Sequence, residues 1–193
     1  SVIGIFKERF AYILAAFSNR HTIVLDRYII YFLDQNFFSV YTLISLFLNI
    51  TPLFIDMFYM AKDRSKFTKR KLEASEIFND KVFIQSIITG VLLPVSIIFF
   101  VLYSQNEHGL YNYINSFILM FSFICFAVSV PLYELIFWHK PILTRALIEI
   151  VFCISLGIFG LISYFAGLQI LIFLLIMFGM HVLRIISMLY ILR

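Results

Sequence analysis

The sequence predicts an all-α fold, a polytopic bundle of transmembrane helices with five or six spans, and three observations carry that expectation. Of 193 residues, 62% are hydrophobic and only 13% charged, whereas a soluble domain is about a quarter charged. The apolar residues gather into stretches long enough for several spans of roughly 20 residues each. Seven of the fifteen Lys and Arg lie between Lys62 and Lys81, and the other connectors carry little positive charge. That asymmetry orients a membrane protein with its basic loop in the cytosol. No strand-length alternation punctuated by turns recurs, as a barrel would require. No polar stretch is long enough for a second domain, so residues 1–193 read as one integral membrane domain.

Taken in order, residues 1–38 admit two readings. Phe10–Phe17 and Thr22–Leu33 are apolar but interrupted by Ser18-Asn19-Arg20-His21 and by Asp26-Arg27. They form either one imperfect span or an amphipathic helix lying on the surface. The charge rule favours the span, because Lys7 and Arg9 would otherwise be translocated. Lys7-Glu8-Arg9 also interrupts the first apolar run, so no cleavable signal sequence is expected there. Five spans follow, at Ser39–Ala61, Val82–Ser104, Tyr113–Trp138, Ile142–Ala166 and Leu168–Leu192. Pro52, Pro94 and Pro131 fall inside three of them, where a missing N–H and a clashing ring bend a helix.

The connectors agree on one orientation. Lys62–Lys81 is the basic cytosolic loop, and it shares its side with Lys140, Arg145 and Arg193. Gln105–Asn112, whose only charge is Glu107, and the Gly167 turn then face the opposite side. Net charge is +4, but the positives flank spans, so they read as orientation signals and phospholipid contacts rather than a nucleic-acid surface. Cys125 and Cys153 lie inside apolar segments without ligand-like neighbours. Packed thiols are expected, with no disulfide framework, metal or cofactor.

Ionisable groups at membrane depth are the pointers to function, since each costs a few kcal/mol to insert. They are Asp56, Glu134, Glu149, His181 and Arg184, with Gln85 and Asn49 as neutral companions. By position along their helices most of them fall in one layer near the cytosolic side. One reading makes that layer a polar cleft, with Glu134 or Glu149 facing Arg184 and His181 as an acid–base group. The structural reading is an ion pair that shelters Arg184, with Glu149 as its first expected partner and Glu134 its second. Ser155, Gly157, Gly160 and Ser163 form a small-residue stripe suited to helix contact.

Three short patches and the order of features resemble the androgen-induced and androgen-dependent family of multi-span fatty-acid-ester hydrolases. The patches are Ser39-Val40-Tyr41-Thr42-Leu43-Ile44, Leu92-Leu93-Pro94-Val95 leading to Tyr103, and Glu107 with Tyr111. The resemblance implies that Thr42 stands where the family has its nucleophile, and that the protein resides in the endoplasmic reticulum or another endomembrane. It departs at the base. Where the family carries a His-bearing stretch before a proline, this chain has Phe121–Pro131 without a histidine. A threonine hydroxyl without a base in reach is a poor nucleophile. The sequence therefore leads to a membrane-embedded scaffold or accessory subunit that contacts lipids, and other membrane subunits, without catalysis. A lipid-ester hydrolase using Thr42 and a small-molecule or proton-coupled transporter using the polar layer are the alternatives.

Overall fold

The computed structural model describes residues 9–10, 13, 24–48, 50–55, 57, 80–104 and 110–192. Most of the Lys62–Lys81 loop, Asp56, and residues 105–109 of the acidic connector lie outside them. So do the side chains of Glu134, His139 and Arg145. The described residues are almost wholly helical and contain no strand: α1 (24–33), α2 (Gln35–Leu48), α3 (Ile50–Ile55), α4 (Lys81–Ser104), α5 (Leu110–His139), α6 (Ile142–Phe165) and α7 (Ile170–Leu192). In four of them, Phe83–Phe100, Tyr113–Tyr133, Ala146–Phe165 and Ile170–Leu192 are long and apolar enough to cross a membrane. These match the last four expected spans, with α5 already helical at Leu110, three residues before the expected Tyr113.

Within the stretch expected as one span at Ser39–Ala61, the described residues up to Ile55 are helical, in α2 and α3, and Asn49, Asp56 and residues 58–61 lie outside the described residues. Pro94 and Pro131 lie within unbroken helices. Their rings crowd the carbonyls of Gly90 and Ala127, and those two residues meet where α4 crosses α5. A Cβ placed on Gly90 would lie 3.3 Å from the Ala127 Cβ.

Local chemistry sets the ends. Asp34 caps α2, its Oδ1 accepting from the backbone N–H of Asn36 and of Phe37, both at 3.0 Å. Asp80 caps α4 through the Phe83 N–H. Gly167, at φ +61, closes α6 in a Schellman turn: its N–H donates to Tyr164 and the Leu168 N–H donates to Ser163. We expect Asp34→Ala to cost about 1 kcal/mol, read as a lowered thermal midpoint in detergent. An unchanged midpoint would show that packing alone holds the α1–α2 corner.

The most extensive packing is of α5 on α7, followed by α4 on α5 and α6 on α7. Helix α1 runs parallel to the second half of α6, with Leu25 against Gly157, Ile29 against Gly160 and the Phe32 ring 6.0 Å from that of Tyr164. The core between these helices joins Ile30, Tyr41, Phe152, Leu156, Phe173 and Met177. The α6–α7 hairpin is thus antiparallel about Gly167, which brings the early part of α6 beside the late part of α7.

Candidate functional site

That register brings Glu149 to Arg184. Glu149 lies about 10 Å along α6 from Ile142, and Arg184 lies about 12 Å back from Leu192, at 1.5 Å per residue. Both are in the bundle interior, Glu149 at 0% and Arg184 at 7% exposure. The Arg184 Nη2 donates to the Glu149 Oε1, forming a buried ion pair. Arg184 belongs there because it continues the buried stripe of α7 through Phe173, Met177 and Met180 to Met188, spaced as one helical face.

Aromatic rings enclose the guanidinium. Its Cζ stands 5.1 Å from the Phe152 ring centre, 5.7 Å from Tyr133 and 5.8 Å from Phe126, within the range where a ring face attracts a cation. His181, one turn earlier on α7, stacks obliquely at 4.9 Å from Phe152 and 5.9 Å from Phe126. Among the described residues its Nδ1 has no hydrogen-bond partner, nor have the Glu149 Oε2 and the Arg184 Nε. The pair is therefore joined through one bond rather than the two-pronged contact an arginine and a carboxylate can make.

The other expected polar residues separate from this pair. Gln85 is exposed on α4, whose buried face is Phe83, Ser86, Gly90, Pro94 and Ile98, so it does not join an interior layer. Glu134 has helical backbone in α5, and its side chain, like the whole of Asp56, is outside the described residues. Thr42 is half-buried on α2 and donates its hydroxyl hydrogen to the Phe38 carbonyl one turn back, at 2.8 Å. Among the described residues, no group of His, Cys, Asp and Glu is arranged to hold a metal ion.

A second interior pair was not expected. Asp26, read in the sequence as an interruption, accepts through Oδ2 from the hydroxyl of Tyr41. Tyr41 is fully buried, and the Asp26 Oδ1 also accepts from the Arg27 N–H. An aspartate in an apolar run, on a helix that must pack, needs an interior donor. That requirement was the available signal, although it does not say which tyrosine answers it. Asn115 on α5 is likewise fully buried, with neither amide atom partnered among the described residues.

Two clefts open on the helix surfaces. One, of about 370 Å³, lies along α6 and α7 and includes Arg184 in its wall. The other, of about 480 Å³, lies between α1 and α6 beside Gly160, Tyr28 and Tyr164. No family model, curated protein or solved structure matches the chain.

Proposed function

We propose that this chain is a multi-pass membrane scaffold or accessory subunit that contacts lipids and other membrane subunits and performs no chemistry of its own. The observation that carries the reading is the way interior polar groups are used. Glu149 and Arg184 bind one another, Asp26 and Tyr41 bind one another, and the Thr42 hydroxyl bonds within its own helix. Each contact offsets the cost of a polar group in an apolar interior. None of them brings a base to the Thr42 hydroxyl.

In this reading the chain crosses the membrane six times, with its basic Lys62–Lys81 loop in the cytosol. Helices α2 and α3 belong to one span. Helix α1 is the far half of another, supported by its parallel contact with α6 from Gly157 to Tyr164. The charge rule supports the orientation.

The purified protein in liposomes is expected to show neither lipid-ester hydrolysis nor dissipation of an imposed pH gradient, and Thr42→Ala is expected to leave its stability within about 0.5 kcal/mol. Ester hydrolysis that disappears in Thr42→Ala would replace this reading with the hydrolase. Proton or solute flux that Glu149→Gln abolishes at unchanged stability would replace it with the transporter.

A further inference from the structure

The cleft along α6 and α7 differs from an ordinary groove between lipid-facing helices because its wall contains a charged side chain. Leu147, Val151, Phe159 and Leu183 form its exposed edges, while Phe152 and Arg184 are buried in it. From Leu147 to Phe159 it follows α6 for about 18 Å. Its volume of about 370 Å³ is within the range that holds a small ligand or part of a lipid.

Three features restrict the occupant. The lining is almost wholly apolar, so most of the ligand must be hydrocarbon. Arg184 lines the cleft and gives Nη2 to Glu149, so a guanidinium with further N–H donors stands where hydrocarbon supplies no acceptor. Its charge is already balanced by Glu149, so an entering carboxylate or phosphate would leave an uncompensated negative charge at depth. A neutral oxygen, from a hydroxyl or an ester carbonyl, meets all three conditions.

The geometry points to a lipid site in this cleft, in which the neutral oxygen-bearing head of a membrane lipid, of the diacylglycerol kind, accepts a hydrogen bond from Arg184 while its chain lies along α6 toward Phe159. This rests on the membrane reading above and names the lipid class behind its lipid contact. Ser187 and Ser155 also line the cleft. Ser187 is one turn nearer the α7 end than Arg184, on the side from which a polar head enters.

The test is photolabelling of the full chain in nanodiscs by diazirine-bearing probes, with labelled peptides mapped by mass spectrometry. The probes are a diacylglycerol, a fatty acid, a phosphatidylcholine and a plain long-chain hydrocarbon. The diacylglycerol is expected to label residues 147–159 and 180–187 roughly tenfold more than the hydrocarbon, the worth of one hydrogen bond to a charged group. Val151→Trp, which fills the cleft from an exposed edge without touching the ion pair, should remove that excess. The neutral double variant Glu149→Gln with Arg184→Met should remove it too, while labelling elsewhere on the chain stays the same. Equal labelling by the hydrocarbon means an unselective lipid layer and overturns the proposal. Preference for the fatty acid or the phosphatidylcholine, or persistence of the excess in Val151→Trp, overturns it as well. Ester hydrolysis or flux by the wild-type protein would sink the scaffold reading and leave this labelling pattern standing, so the two failures are distinguishable.

Discussion

Arg184→Met is expected to lower the stability of the bundle by about 3 kcal/mol, the largest effect of any single change at an interior position. Methionine matches the length of the stem and suits the rings of Phe152, Phe126 and Tyr133. The loss therefore comes from stranding the Glu149 carboxylate, which is fully enclosed and has no other partner among the described residues. Removing one member of a buried pair leaves an uncompensated charge, and that is the costly case. Glu149→Gln alone should cost less, because glutamine is neutral and can still accept from the guanidinium. The double variant Glu149→Gln with Arg184→Met removes both charges and should recover most of the loss. Denaturation of the four proteins in mixed micelles gives the cycle. Simple addition of the two single effects would mean that the residues do not interact in the folded bundle.

The ion pair could be anticipated from the sequence because insertion cost restricts the partners of a deep arginine to carboxylates at the same depth. Glu149 stood on the adjacent helix of a hairpin that turns at Gly167, which fixed the match. The four long helices were legible for a similar reason, since hydrocarbon thickness sets their length and leaves few alternatives. Which face of each helix is buried was not legible. In α4 most residues are apolar, so hydropathy neither separates the stripe of Phe83, Ser86, Gly90, Pro94 and Ile98 from its neighbours nor says that Gln85 points out. Pro94 and Pro131 announced distortions, but whether a proline bends a helix or divides it depends on what packs around it, and both are carried through intact. The Asp26–Tyr41 pair was hidden for another reason. The short, interrupted run of residues 24–33 has no periodic signal strong enough to say that it lies against α6, and the contact is a product of tertiary packing.

That contact is the subject of the second large effect. Gly160→Ala is expected to destabilise the bundle by about 2 kcal/mol, while Gly157→Ala, one turn earlier on the same face, is expected to be neutral or slightly stabilising. A Cβ on Gly160 would lie 2.7 Å from the Ile29 Cγ1 and 3.2 Å from its Cγ2, with Cδ1 nearer still. The whole isoleucine side chain stands in the way, and β-branching leaves it few rotamers into which to move. Helix α1 must then lift from α6, an overpacking cost of roughly 1–3 kcal/mol. A Cβ on Gly157 meets only the Leu25 Cδ2, at 3.5 Å, an ordinary contact, and alanine favours the helix over glycine by roughly 0.5–1 kcal/mol. Thermal unfolding of both variants in detergent separates the two positions. Shortening the obstacle should restore the first: Ile29→Ala with Gly160→Ala is expected to be more stable than Gly160→Ala alone. If the two glycine variants lose stability equally, the stripe acts through general helix crowding rather than through the Ile29 contact. If neither loses any, α1 does not rest on α6 at Gly160, and the support for a span whose far half is residues 24–33 falls with it.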